Sequence, residues 1–118
     1  MKFETIFASA ARAATPTAVE IDTAGYDYLA LQLSCTLDAA AASVQVEIDY
    51  KDPLTGVYTT ILAAAALASV STQLLLVGPG IVAAANVSAQ AILPDKIRIT
   101  ATHTDADAIT YSVTAVLK

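Results

Sequence analysis

Apolar and polar residues trade places at every step in four separate stretches of this chain. A period of two is the mark of a half-buried strand. In "DYLALQLSC", Leu29, Leu31, Leu33 and Cys35 alternate with Tyr28, Ala30, Gln32 and Ser34. In "SVQVEIDY", Val44, Val46, Ile48 and Tyr50 alternate with Gln45, Glu47 and Asp49. "KIRITATH" sets Ile97, Ile99 and Ala101 against Arg98, Thr100 and Thr102. "ITYSVTAVL" sets Ile109, Tyr111, Val113, Ala115 and Leu117 against Thr110, Ser112 and Thr114. Strands with one polar face belong to antiparallel sheets covered on one side only.

Weaker strand patterns fill the gaps: "KFETIF", "AVEID", "VYTTIL" and "TQLLLV". Turn residues punctuate them. Gly25 precedes the first strong strand, Gly78-Pro79-Gly80 ends "TQLLLV", and Leu93-Pro94-Asp95 precedes "KIRIT". Turns every eight to twelve residues or so suit a sandwich or jelly roll. The expected fold is therefore all-β: a single-domain antiparallel β-sandwich or jelly-roll-like domain over residues 18–118. Residues 1–17 form an extended N-terminal arm or first strand.

Within this frame "YKDPLTGVYTTIL" reads as a hairpin. Pro53 pre-sets φ at the first turn position, Gly56 supplies a positive φ, and the Asp52 carboxylate accepts from the turn's own amides. The alanine runs argue for helix by propensity, but "DAAAAS" and "LAAAALAS" are too short to stand as helices. Asp38 to Ser43 is read as a hairpin loop, and "HTDADA" as a second one between the last two strands. Gly80 to Pro94 is long enough for a helical turn or two, and equally suits an irregular crossover.

The chain has 118 residues, enough for one core without disulfides or metal. Of its hydrophobic 56%, 26 residues are alanine. Charged residues are only 14%, against roughly 25% in ordinary soluble domains. A surface so poor in charge is often covered by a partner or by copies of itself. The net charge is −5 and the six basic residues are scattered, which argues against a nucleic-acid partner and against an anionic membrane. No run approaches the roughly 20 apolar residues of a membrane-spanning helix. Near the start, Glu4 and Arg12 leave too short an apolar run for an export signal, so manufacture in a cytoplasm is expected.

Reactive groups are sparse. Cys35 is the single cysteine and sits in an apolar run, where it reads as a small core residue. His103 is the single histidine and reads as a surface or strand-end residue. A Ser-His-Asp set would have to draw on Asp105 or Asp107 from its own loop, and no nucleophile-elbow pattern is present. "HTDADA" lacks the Gly and Glu of a calcium loop, and "VGPGI" lacks the Lys of a phosphate loop. Glu47 and Asp49 share a strand face with Asp52 close behind, and read as a solvated acidic face. Tyr26, Tyr28, Tyr50, Tyr58 and Tyr111 read as strand aromatics; clustered on one open face, they would instead form a stacking platform. No catalytic, cofactor-binding or metal-binding residue is expected, and the chain reads as a non-enzyme without a cofactor.

One resemblance covers about the last two-thirds of the chain. Lys51-Asp52-Pro53, Gly56 and Tyr58, then Pro79-Gly80, Leu93-Pro94, Arg98, Thr102-His103 and Thr110-Tyr111-Ser112-Val113 follow one another in an order that resembles small virion structural proteins of tailed bacteriophages, of the head decoration or cement type. The resemblance implies a β-rich protein on the capsid exterior that stabilises the shell. Its implied partners are the major capsid protein and its own copies in a homotrimer. Residues 1–17 lack strong periodicity after Phe7, and this arm is expected to lie on a neighbouring subunit or on the shell. A carbohydrate- or host-binding module of a phage fibre is the alternative from another class, and a neck or tail component is the nearer rival.

Overall fold

Nine strands and no helix make up the computed structural model, which describes residues 1–118. In chain order they are β1 (Lys2–Arg12), β2 (Val19–Asp22), β3 (Leu29–Leu37), β4 (Val44–Lys51), β5 (Tyr58–Ala63), β6 (Thr72–Gly78), β7 (Ser88–Gln90), β8 (Lys96–His103) and β9 (Ile109–Leu117). They form a five-stranded sheet in the order β1-β9-β3-β6-β7 and a four-stranded sheet in the order β2-β8-β4-β5. All pairings are antiparallel except β6 with β7. The fold is a β-sandwich.

The four alternating stretches account for the centre of both sheets. Leu29, Leu31, Leu33 and Cys35 from β3 and Ile109, Tyr111, Val113, Ala115 and Leu117 from β9 line one inner face. Val44, Val46 and Ile48 from β4 and Ile97, Ile99 and Ala101 from β8 line the other. Each fully buried Leu, Ile or Val of this set contributes about 1.5–3 kcal/mol. At the end of β4 the apolar reading breaks down. Tyr50 lies at the sandwich rim, 38% exposed, whereas Asp49 is only 2% exposed.

Most connections cross from one sheet to the other. Asp38 to Ser43 carries the chain from β3 to β4, and the 104–108 loop carries it from β8 to β9. Both were expected to be hairpins, and neither is. Polar turn residues reverse a chain equally well within a sheet or between sheets; only the partners of the flanking strands distinguish the two. The β4–β5 connection is the true hairpin. Asp52 Oδ1 accepts from the Leu54 amide at 2.9 Å, the Gly56 amide donates to the Asp52 carbonyl at 2.8 Å, and Gly56 has φ 75°. Those contacts to the Leu54 amide and the Thr55 hydroxyl hold the Asp52 carboxyl below its usual range.

Gly80 to Pro94 contains no helix. It is an irregular crossover whose middle, β7, runs parallel to the end of β6, Leu76 opposite Ser88.

Residues 2–12 are an edge strand of the five-stranded sheet, paired with β9 along their length. Two bulges interrupt the ladder, between Thr5 and Phe7 and between Phe7 and Ala10. A bulge breaks strict alternation, so consecutive Ile6 and Phe7 both enter the core, each 7% exposed. The second bulge is closed by Arg12. Its guanidinium donates to the carbonyls of Ala8 at 2.6 Å, Ala10 at 3.2 Å and Tyr111 at 2.9 Å, and lies over the rings of Phe7 and Tyr111.

Candidate interaction faces

The two outer faces of the sandwich have opposite character. On the four-stranded sheet, register brings Glu20 of β2, Arg98 of β8, Asp49 of β4 and Thr60 of β5 into one cross-strand row. Arg98 donates to Asp49 Oδ2 from Nε at 3.0 Å and from Nη2 at 2.8 Å, and its guanidinium stacks 3.7 Å from the Tyr58 ring centre. Glu20 Oε2 accepts from Lys51 at 2.8 Å and from the Tyr58 hydroxyl at 2.6 Å, with Lys96 3.6 Å from Oε1. These donors hold the Glu20 carboxyl down at about 2.

Glu47 behaves differently. The neighbouring Asp49 carboxyl pushes it up, because a second acidic group beside it disfavours its charged form; partial burial adds to the effect. Thr60 donates to its Oε1 at 2.9 Å. The stretch read as a solvated acidic face is therefore a cross-linked network of side chains that satisfy one another. No group of three or more His, Cys, Asp or Glu residues converges as a metal site would require.

On the five-stranded sheet the outward positions of the three central strands carry no charge. They are Thr110, Ser112, Thr114 and Val116 on β9, Ala30, Gln32 and Ser34 on β3, and Thr72, Leu74 and Leu76 on β6. One row across this face is apolar throughout: Phe3, Val116, Ala30, Leu76. Phe3 is 72% exposed, Leu74 51% and Leu76 36%. The charge-poor surface inferred from composition is concentrated here. Composition carried that signal, but the row itself joins residues far apart in the chain and appears only once strand order is known.

Between the sheets lies His103, which sequence placed at the surface. Its ring is partly buried, and Nε2 is 2.8 Å from the hydroxyl of the fully buried Tyr111. Nδ1 is buried without a partner. Burial pushes the imidazole below its usual value, and the Arg12 charge adds to the effect. Burial also raises the Tyr111 phenol and the thiol of Cys35, which lies inside the core.

The chain matches no known protein family and no curated protein sequence. Its working parts therefore have to be read from its own surfaces. Asp105 and Asp107 lie in the exposed β8–β9 loop, where the Asp107 amide donates to Asp105 Oδ1 at 3.1 Å as an ordinary turn bond. The tyrosines do not gather into a platform: Tyr111 is core, Tyr58 is covered by Arg98, Tyr50 sits at the rim, and Tyr28 packs on Gly78. A second exposed apolar surface lies along the β6–β8 crossover, where Val82 is 86% and Ile92 81% exposed.

Proposed function

We propose that this chain is a non-enzymatic structural protein that works by surface contact, as a capsid decoration protein of a tailed bacteriophage. In this reading it sits on the capsid exterior, binds the major capsid protein and its own copies, and stabilises the shell. The observation that carries the contact reading is the uncharged, partly apolar outer face of the five-stranded sheet, beside a second sheet on which Glu20, Lys51, Lys96, Asp49 and Arg98 are already paired with one another. A solvent-facing sheet face ordinarily carries charge. One that does not is suited to burial against a macromolecule.

The resemblance in the order of the turn and strand motifs supplies the phage setting. Two separate apolar surfaces, the sheet face and the Val82–Ile92 crossover, fit a molecule that contacts its own kind with one and a shell with the other. Many weak shell contacts from one assembly sum to tight attachment, and binding only the assembled shell stabilises it by mass action.

The test is quantitative mass spectrometry of purified particles, counting copies of this chain per copy of the major shell protein. On the order of hundreds of copies per particle, set by shell symmetry, is the expected result. A dozen or fewer, as for a neck, tail or fibre part, or none at all, overturns the decoration reading.

A further inference from the structure

The apolar row on the five-stranded sheet has a symmetry of its own. Its outer members, Phe3 on β1 and Leu76 on β6, are large, and the inner two, Val116 on β9 and Ala30 on β3, are smaller. Consider a two-fold axis in the plane of the face, parallel to the strands and midway between β9 and β3. It lays the row of one copy over the row of another in reverse order. Phe3 then meets Leu76 of the second copy and Val116 meets its Ala30. The neighbouring row, Thr5, Thr114, Gln32 and Leu74, reverses in the same way, and no charged side chain falls in either.

We infer that this face is the contact between two copies of the chain, stacked sheet on sheet about that axis. The inference rests on the contact-surface reading given above and not on the assignment to a virion. It departs from the threefold arrangement that the phage resemblance implies.

Charge favours a second copy as the occupant. The chain carries a net charge of −5, and like-charged copies repel wherever their carboxylates meet. The outward positions of β9, β3 and β6 hold none, so two anionic copies approach there at the lowest electrostatic cost.

Area is sufficient for it. The four strands that the axis superposes, about 4.8 Å apart with about 3.4 Å per residue over about eight residues, give a face of roughly 19 by 27 Å, or about 500 Å² per copy; the three-residue β7 falls outside the overlap. Twice that, about 1,000 Å², is the total area that a specific interface has to clear. Two sheets stacked at about 10 Å and within about 30° of parallel interdigitate as the two layers of one sandwich do.

Sedimentation velocity on the full chain, from about 1 to about 100 µM, tests the pairing. The expected species has the mass of two chains. Phe3→Glu or Leu74→Glu enters a two-fold contact twice, and each weakens pairing on the order of 100-fold. Both positions are already exposed, so both variants keep the wild-type circular dichroism spectrum and melting curve. Leu54→Glu at the hairpin tip, 93% exposed, stays paired. A single-chain mass throughout the range, or pairs that survive both face substitutions, overturns the inference.

Cross-linking tests the axis. Phe3→Cys and Leu76→Cys chains, mixed and oxidised, are expected to form a covalent pair that neither forms alone, while buried Cys35 takes no part. Equal cross-linking within Phe3→Cys alone, or a three-chain assembly, overturns the two-fold arrangement. The copy number on particles is a separate readout, so a failure of the pairing and a failure of the virion reading are told apart.

Discussion

The hydroxyl of Tyr111 lies 2.8 Å from Nε2 of His103 and ties β9 of one sheet to β8 of the other. The Tyr111 ring is fully buried and carries the Arg12 guanidinium over its face, 4.8 Å from the ring centre. Three strands from two sheets therefore meet around one aromatic side chain. Tyr111→Phe removes the bond, leaves both imidazole nitrogens without partners, and is expected to cost about 1–2 kcal/mol of stability, read from urea unfolding.

The same geometry sets a pH dependence. The imidazolium carries a hydrogen on both ring nitrogens, and Nδ1 is buried with nothing to accept one. The folded pKa is thus below the unfolded one, through burial first and the Arg12 charge second, with Asp105 opposing. Between the two values the unfolded chain binds more protons, so its contribution to stability is fully present above about pH 6.5 and is lost as pH falls towards the folded value. Urea midpoints for the wild type should fall between about pH 7.5 and about pH 5.5, and the His103→Gln midpoint should change less over that window. Equal slopes for the two proteins would show that His103 does not carry the dependence.

Asp49 and Arg98 form the ion pair with the most at stake, because the Asp49 side chain is 2% exposed and the Arg98 side chain 33%. Arg98→Leu strands a buried carboxylate and uncovers the Tyr58 ring; the expected loss is about 2–3 kcal/mol, at the lower end for a buried pair because Arg98 is partly solvated. Asp49→Asn keeps a hydrogen-bond acceptor for Arg98 and should cost less. The double variant should lose less than the sum of the singles. Chemical denaturation of the four proteins closes this cycle, and strict additivity would mean that the pair is not coupled.

Arg12 fills the second bulge of β1 and contacts three carbonyls. Arg12→Ala should cost about 1–2 kcal/mol. Hydrogen exchange should then quicken at residues 7–12 while the β3–β9 ladder stays protected. Removing residues 1–17 altogether is a different matter: it takes Ile6 and Phe7 out of the core and bares the β9 edge. The truncated chain is expected to lose cooperative unfolding, and a sharp melt from it would show that β1 is dispensable.

Local pattern was legible wherever it had a local cause. Alternation marked Leu29, Leu31 and Leu33 as inward, and turn chemistry at Asp52 and Gly56 marked the hairpin. What escaped had causes distant in the chain. Ile6 and Phe7 do not alternate because a bulge against β9 turns both inward. The loops after β3 and β8 look like hairpin loops because their residues reverse the chain, whereas their destination is set by pairing with strands many residues away. Asp49 is buried because Arg98, remote in sequence, lies across it. His103 was read as a surface residue because nothing near it in sequence announces Tyr111 as a partner across the sheets. The uncharged face showed in composition as a shortage of charge, but its place depended on the order β1-β9-β3-β6.

Tyr28 and Gly78 meet at the end of the β3–β6 ladder, one step beyond the Leu29–Val77 pair. The ring lies so close over the glycine that an added Cβ would overlap Tyr28 Cδ1. An aromatic ring covering a cross-strand glycine shields its backbone and compensates for the missing side chain. Gly78→Ala must therefore displace the ring, and is expected to cost about 1–2 kcal/mol by overpacking. Tyr28→Ala removes the same packing by another route. Once the ring is gone, alanine at 78 has room, so the double variant should be no less stable than Tyr28→Ala alone. Thermal melts of the three variants decide the point: if Gly78→Ala is equally damaging with and without the ring, the strain lies in the β6 backbone and not in the contact with Tyr28.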